Sequence, residues 1–384
     1  MSPAEPVSPT EPVSPAEPVS PAEPVSPAEP VSPAGLSSSD RKEPRGQLGP
    51  AELLERAAGG VDGDRRALAR LLSIAEEGGA RSRDLARLTY PRSGASYCVG
   101  LTGAPGAGKS TLTAVLITEA MKRSGEPVAV LAVDPSSPLS GGAILGDRIR
   151  MQDHSLDRAV YIRSMATRGH LGGLAAAVPD AIRVFDAARW PLVLVETVGV
   201  GQVELEVASS CDTTLVVLNP GWGDAVQASK AGLLEVADIL VINKADRPGV
   251  RETKRDLVHM LELSQGLEWV PPIVETVASE GQGVPELWDA IAAHRSHLEK
   301  GGGLERRRSA RLLEETERLA TAVLAKAVAD ELFRPGSPLG SQIAARLIDP
   351  AGGAEQVVAA VAAHVIGTRG DPPRSGASSP KQDL

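Results

Sequence analysis

The glycine-rich stretch 103–111 (GAPGAGKST) constrains the fold of this chain more than any other feature. It matches the phosphate-binding pattern G-x-x-x-x-G-K-[ST]. The apolar run 97–102 before it predicts a buried strand, and the apolar spacing in 111–123 after it predicts a helix. Backbone N–H groups of such a loop, together with a helix N-terminus, attract one anion. We predict that a nucleoside triphosphate contacts the loop residues Gly103, Ala104, Pro105, Gly106, Ala107, Gly108, Lys109, Ser110 and Thr111.

Two side chains of this loop have predicted chemical roles. Lys109 is expected to reach the β- and γ-phosphates, which makes it a candidate catalytic residue. The hydroxyl of Ser110 is expected to ligate Mg²⁺. The predicted cofactors are therefore a nucleotide and Mg²⁺.

Composition excludes several other classes of protein. The 384 residues carry a formal net charge of −9, which argues against a nucleic-acid-binding scaffold with a wide basic face. No apolar run reaches membrane-spanning length, and the N-terminus lacks a hydrophobic signal core, so we expect a cytoplasmic protein without a membrane anchor. Cys98 and Cys211 lie beside apolar runs without a C-x-x-C pair, which favours buried thiols in a reducing compartment.

Residues 2–34 repeat the six-residue unit SPAEPV, in which two prolines per unit prevent helix and sheet formation. This repeat is expected to be extended and disordered, either as a tether or as a docking motif. The predicted organisation is a disordered repeat and linker in 1–49, a helical subdomain in 50–96, a P-loop GTPase domain in 97–300, C-terminal dimerisation helices in 301–367 and a disordered tail in 368–384.

Apolar runs without alternation recur from residue 97 onward, separated by helical patterns. They lie at 97–102, 127–133, 159–163, 192–196, 213–218, 238–243 and near 272–277. This pattern predicts an α/β fold whose mostly parallel sheet is covered by helices on both faces. Ligands of such sheets bind at the carboxyl ends of the strands.

The sequence Asn243-Lys244-Ala245-Asp246 follows one of these strands and fits the guanine-recognition motif N-K-x-D. The carboxylate of Asp246 can accept hydrogen bonds from guanine N1–H and its 2-amino group, a donor pair that adenine lacks. Asn243 either bonds the guanine N7 side or braces the loop, and the stem of Lys244 can lie over the base. We therefore predict GTP rather than ATP.

A second base contact is expected at Thr276, Val277 and Ala278, which follow the last predicted strand. The backbone N–H of Ala278 can donate to guanine O6. Any turn of small residues would look similar, so this prediction depends on the spacing from Asp246.

Three carboxylates are candidate metal ligands. Glu196 ends the strand 192–196, and the N–H of nearby Gly199 can bond the γ-phosphate. Glu is longer than the Asp that most GTPases place there, so direct ligation and ligation through water are both open. Asp134 ends the second strand, and Asp147 lies in a glycine-bounded loop that can close over the phosphates. Gln202 is a candidate for orienting the attacking water, and it and Glu196 complete the candidate catalytic set.

The motif set resembles the MeaB/ArgK family, the methylmalonyl-CoA mutase-associated GTPases, over residues 50–300 and more loosely to 366. The matching segments are GAPGAGKST at 103, VDPSS at 133, GGAILGDRIRM at 141, RSMATRG at 163, ETVGVGQ at 196 and NKAD at 243. Trp222 departs from the family, which usually has a small residue at this position.

The resemblance implies a homodimeric GTPase that binds adenosylcobalamin-dependent methylmalonyl-CoA mutase, gates cofactor loading and protects the mutase from inactivation. It also implies that Asp134, Asp147 and Glu196 line the Mg²⁺–phosphate site and that 141–170 contains switch elements. Two alternatives are a metal-insertion GTPase and a basic amino-acid transport ATPase or kinase. The first is disfavoured because histidine tracts and paired cysteines are absent from the sequence, and the second by the guanine motif.

The helical pattern 304–333 carries a stripe of Leu312, Leu313, Leu319, Val323, Ala327 and Val328. The stripe is longer than a covering helix needs, so it is either intramolecular core or a subunit interface. The resemblance favours the interface. A second helical pattern is predicted over 341–366.

Overall fold

The computed structural model describes residues 48–134, 154, 156–166, 173–197, 210–221, 236–264 and 266–367. Within these residues seven strands form one sheet in the order β3-β2-β4-β1-β5-β6-β7, and the paired strands are parallel. The strands are β1 (Tyr97–Gly103), β2 (Val128–Asp134), β3 (Val160–Ala166), β4 (Leu192–Thr197), β5 (Thr213–Leu218), β6 (Ile239–Asn243) and β7 (Ile273–Thr276). Each predicted strand is confirmed, with bounds that differ by up to three residues.

The central strands are buried along their whole length, which explains why the sequence shows continuous apolar runs. Every residue of β1, β4, β5 and β6 is buried. Helices cover the sheet: α4 (Lys109–Ser124), α5 (Gly173–Ala187), α6 (Val250–Leu263) and α7 (Val284–Glu299). Alternate residues of β1 enter two different cores, because Cys98 packs in one cluster and Val99 in another. This is the two-faced burial of a covered parallel sheet.

The N-terminal helices pack on one of these faces together with α5. They are α1 (Pro50–Ala57), α2 (Arg65–Glu77) and α3 (Gly79–Thr89), with short 3₁₀ turns at Gly60–Asp62 and Tyr90–Arg92. Asp64 caps α2, since its side chain accepts hydrogen bonds from the backbone N–H groups of Arg66 and Ala67. The helix ends at Gly78.

The C-terminal region consists of α8 (Gly303–Phe333), α9 (Pro338–Ala344) and α10 (Pro350–Gly367). The prediction of one helix over 341–366 is wrong, because two helices occupy this range. Arg346 adopts a positive φ of 59°, and Asp349 then caps α10 by accepting hydrogen bonds from the N–H groups of Ala351 and Gly352. Pro350 suits the first position of that helix, where no N–H is needed. No helix in the described part of the chain is both long and apolar enough to cross a bilayer.

Arginines hold the first turns of α8 to the amino ends of β5 and β6. Arg308 and Arg311 donate to the carboxylate of Asp212 over 2.6–3.0 Å, and Arg307 forms a two-bond pair with Asp238 at 2.8 Å. Burial raises the pKa of Asp212, but hydrogen bonds and charge from the arginines outweigh burial, so its pKa is lowered overall. The carboxylate is therefore ionised in the folded protein at neutral pH.

A buried histidine lies beside these ion pairs between α8 and the sheet. His294 contacts Thr213 Oγ1 through Nδ1 at 2.9 Å and lies 3.3 Å from Asp238 through Nε2. Burial lowers the pKa of His294, although the charge of Asp238 opposes the shift. The ring is therefore neutral at neutral pH.

Candidate nucleotide-binding site

The parallel register brings the predicted phosphate and metal residues to one edge of the sheet. Glu196 lies beside Leu101 of β1 and beside Ala132 of β2. Gly103 therefore ends β1 next to the end of β4, and Asp134 ends β2 on the other side. The carboxyl ends of these central strands meet where ligands of such folds bind.

Two glycines of the loop are required by close packing as well as by backbone conformation. Gly103 has a φ of 138°, and a Cβ atom there would lie 2.0 Å from the carbonyl oxygen of Val217. Gly108 has a φ of 91°, and a Cβ atom would lie 2.5 Å from Nδ2 of Asn243. The loop thus packs against the ends of β5 and β6, where no larger residue fits.

Lys109 begins α4 and folds back into the loop. Its Nζ donates to the carbonyl oxygens of Gly103 at 2.6 Å and Ala104 at 2.9 Å, and the residue is only 6 % exposed. A buried ammonium group held inside a curled loop is well placed to meet an anion. Contact of this lysine with the β- and γ-phosphates remains a prediction.

The hydroxyl of Ser110 donates to Oε1 of Glu196 at 2.5 Å, and Glu196 is 1 % exposed. Both oxygens are hard donors of the kind that Mg²⁺ prefers, so the residues present fit this ion. Among the described residues, no group of three or more His, Cys, Asp or Glu side chains could hold a metal.

Asn243 braces the site, which is one of the two roles that the sequence left open. Its Nδ2 donates to the carbonyl oxygen of Ala107 at 2.8 Å. Its Oδ1 accepts from Thr276 Oγ1 and from the N–H of Ala278, both at 3.1 Å. One buried amide therefore connects the phosphate loop to the segment after β7.

The other residues of the guanine motif lie at the mouth of the site. Lys244 has a φ of 59°, and its Nζ donates to the carbonyl oxygen of Gly106 at 2.6 Å. Its stem therefore runs from the motif to the phosphate loop, and Asp246 is exposed. Since the N–H of Ala278 already donates to Asn243, a bond to guanine O6 would share or replace that contact.

Several predicted residues lie outside the described part of the chain. These are Asp147, Gly199 and Gln202, and of Asp134 the structure describes the backbone at the end of β2. Their proposed roles remain predictions. Arg163, the first residue of the segment RSMATRG, pairs with Glu76 at 2.8 Å and also contacts Ser73.

Sequence reasoning missed two contributions to the site. Thr276 was expected near the base, but its hydroxyl holds Asn243, and Val217 was not singled out although its carbonyl fixes Gly103. A threonine that ends a strand beside the N-K-x-D strand is a signal for the first. The close approach of Val217 to Gly103 depends on β5 being the neighbour of β1, and the phosphate-loop motif does not encode the order of the strands.

Comparisons with known proteins show the family of this chain. The family model described as "Methylmalonyl Co-A mutase-associated GTPase MeaB" matches residues 68–332. A candidate GTPase of Pyrococcus abyssi is 48 % identical over 312 residues, which cover 80 % of this chain and 95 % of that protein. GTPase ArgK of Escherichia coli is 38 % identical over 266 residues, 66 % of this chain and 78 % of its own.

A solved structure has a related fold. The crystal structure of a LAO/AO transport system kinase aligns with a TM-score of 0.59 at 26 % sequence identity. The alignment covers 82 % of this chain and 97 % of that one. The sheet and its flanking helices are thus those of a P-loop protein.

Proposed function

Because the chain belongs to the methylmalonyl-CoA mutase-associated GTPase (MeaB) family, we propose that it hydrolyses GTP to GDP and phosphate as a chaperone of a cobalamin-dependent mutase. The client is methylmalonyl-CoA mutase or a related acyl-CoA mutase that uses adenosylcobalamin. Hydrolysis gates cofactor loading and protects the mutase from inactivation. The cytoplasm is the proposed place of action.

One observation carries the nucleotide part of this proposal. The amide of Asn243 joins the phosphate loop to the segment after β7, so that one residue sets the spacing between the two ends of a guanine nucleotide. In the proposed complex Asp246 accepts from the guanine edge, while Gly103–Thr111 surrounds the phosphates. The remaining proposed contacts come from Gly199, Lys244, Thr276, Val277 and Ala278.

The chain's own residues divide the chemistry between them. Lys109 leaves its carbonyl partners for the β- and γ-phosphates, where its charge stabilises the transferring group. Ser110 and Glu196 would hold Mg²⁺, Glu196 either directly or through water, with Asp134 and Asp147 as the other proposed ligands. When bound, the ion neutralises phosphate charge. Gln202 orients the attacking water, and Glu196, which is buried, acts at the base of the site.

Nucleotide choice is tested by calorimetry with Mg²⁺ present. We expect GTP to bind at least about 100-fold tighter than ATP, since ATP leaves the Asp246 carboxylate unsatisfied. Asp246→Ala removes most of that preference, whereas Asp256→Ala, an exposed aspartate on α6, leaves it unchanged. Equal affinity for GTP and ATP in the unaltered protein would refute the assignment.

The mutase part is tested by measuring GTP turnover with and without purified methylmalonyl-CoA mutase, together with co-elution on a sizing column. We expect turnover to rise and a complex to elute in the presence of a non-hydrolysable GTP analogue. A protein that hydrolyses GTP at an unchanged rate and never co-elutes with the mutase would be a GTPase with another client.

We also propose a homodimer formed through α8. Leu312 faces a cavity, and Ala327 and Val328 pack against α9 and α10, so part of the predicted stripe is intramolecular. Leu313 and Val323 are 72 % and 67 % exposed on the same helix. Light scattering is expected to give a dimer for the unaltered chain and a monomer for Leu313→Glu/Val323→Glu. A monomeric unaltered protein at micromolar concentration would exclude this interface.

A further inference from the structure

Two thiols face each other at the edge of the sheet opposite the nucleotide site. Cys98 is the second residue of β1, and Cys211 lies two residues before β5. Their Sγ atoms are 3.2 Å apart, and both residues are buried. They are the only cysteines of the sequence, so any disulfide within one chain must join them.

A cavity of about 590 Å³ reaches one of the two cysteine residues. It lies between α8 and the start of β1, and Cys98, Ser96, Asp212, Arg308 and Arg311 are among its lining residues. Cys211 does not belong to that lining and is 0 % exposed. A small polar molecule that enters the cavity therefore meets Cys98 first.

We propose that Cys98 and Cys211 form a reversible disulfide, with Cys98 as the thiol that reacts with hydrogen peroxide and Cys211 as the thiol that resolves it. Cys98 attacks one peroxide oxygen, giving a sulfenic acid and one water. Cys211 then attacks the Cys98 sulfur, and the hydroxyl leaves as a second water once protonated. Two thiols are oxidised by two electrons and one peroxide is reduced, so the reaction balances.

The surroundings make the first step slow, and the short distance between the sulfurs favours the second. Burial raises the pKa of the Cys98 thiol, the Cys211 thiol and the Asp212 charge act in the same direction, and Arg311 opposes them. Little thiolate is present at neutral pH, so attack on peroxide is slow. In the second step the sulfurs approach each other from 3.2 Å to about 2.05 Å.

The disulfide would stabilise the site where the first turns of α8 attach to the sheet. Cys211 directly precedes Asp212, and the N–H of Cys98 donates to the Asp212 carboxylate at 3.0 Å. The same carboxylate binds Arg308 and Arg311 of α8. Oxidation thus links β1 covalently to the segment before β5, next to the carboxylate of Asp212 that holds α8. The closed loop, with a sequence separation of 113, contains Gly103–Thr111 and Glu196.

The test treats the reduced full-length protein with hydrogen peroxide at a temperature well below unfolding, then counts thiols after denaturation. We expect two thiols to fall to none, a linked peptide pair containing Cys98 and Cys211 in the mass spectrum, and full reversal by a reductant. The unfolding temperature is expected to rise by about 5 °C, because the cross-link restricts the unfolded chain. Persistence of both thiols would overturn the proposal, as would a disulfide between two chains.

Two matched variants separate the roles of the thiols. Cys211→Ser is expected to accumulate a sulfenic acid at Cys98 that dimedone traps, whereas Cys98→Ser keeps an unmodified Cys211 under the same exposure. Equal labelling of the two variants would contradict the assigned order. If either variant fails to fold, dimedone competition in the unaltered protein decides the order, since only the first-oxidised cysteine carries the label.

Discussion

Asn243→Ala is the most informative single change, because the structure gives one side chain three contacts that belong to two loops. The substitution removes the donor to Ala107 and the acceptor for Thr276 and Ala278. All three partners are buried, so water does not replace the lost bonds without local opening.

The expected cost follows from these contacts. Each lost hydrogen bond costs about 1 kcal/mol, and leaving a buried partner unsatisfied adds to that, so the sum is about 3–5 kcal/mol. For a folded unit of this size that corresponds to a fall in unfolding temperature of roughly 6–10 °C. GDP affinity is expected to fall at least about tenfold, since the phosphate loop and the segment after β7 are no longer held at a fixed distance from each other.

Differential scanning fluorimetry and GDP calorimetry measure the two effects. Asn219→Ala is the matched control, because Asn219 also follows a strand, and its side-chain hydrogen bond within the described residues is a long one of 3.5 Å to Pro220. Asn243→Asp keeps both acceptor contacts but places a carboxylate oxygen against the carbonyl oxygen of Ala107 and buries a charge, so its effect is expected to be at least as large as that of Asn243→Ala. A shift below about 1 °C for Asn243→Ala with unchanged GDP affinity would refute the bracing role.

Three further outcomes are expected. Gly103→Ala is predicted to lower the free energy of unfolding by more than about 3 kcal/mol, because its Cβ would meet the Val217 carbonyl. Gly106→Ala, whose Cβ would have nothing within 4 Å, is predicted to lower it by about 1 kcal/mol. Thermal unfolding compares the two variants, and equal shifts in unfolding temperature would contradict the packing argument. The pKa of Asp212 is lowered from 3.8, so its contribution to stability is present above that value and is lost as pH falls through the folded pKa. Asp212→Asn is therefore expected to lower the unfolding temperature at pH 7 and to make the unfolding temperature depend less on pH in the acid range. The pKa of His294 is lowered from 6.5, so stability is expected to fall as pH drops below 6.5, and His294→Gln should reduce that slope in melts between pH 7.5 and 5.5.

The sheet was predictable from the sequence because its strands are buried on both faces and therefore read as apolar runs. The phosphate loop was predictable because its glycines serve a backbone requirement that few other sequences meet. The break between α9 and α10 was not, since it depends on a positive φ at Arg346 and on capping by Asp349, which the helical spacing conceals. The choice between the two roles of Asn243 depended on strand order, which places β6 beside β5 and β7.

The anchoring of α8 has a mechanical consequence. Arg307, Arg308 and Arg311 fix its first turns, and Glu315 is held by Arg183 at 2.5 Å. Beyond Glu315 the helix continues to Phe333, a length of about 27 Å at 1.5 Å per residue. A tilt of roughly 5° at the base would therefore displace the far end by about 2 Å. The helix acts as a lever, so small rearrangements among a few arginines are magnified where α9 and α10 begin.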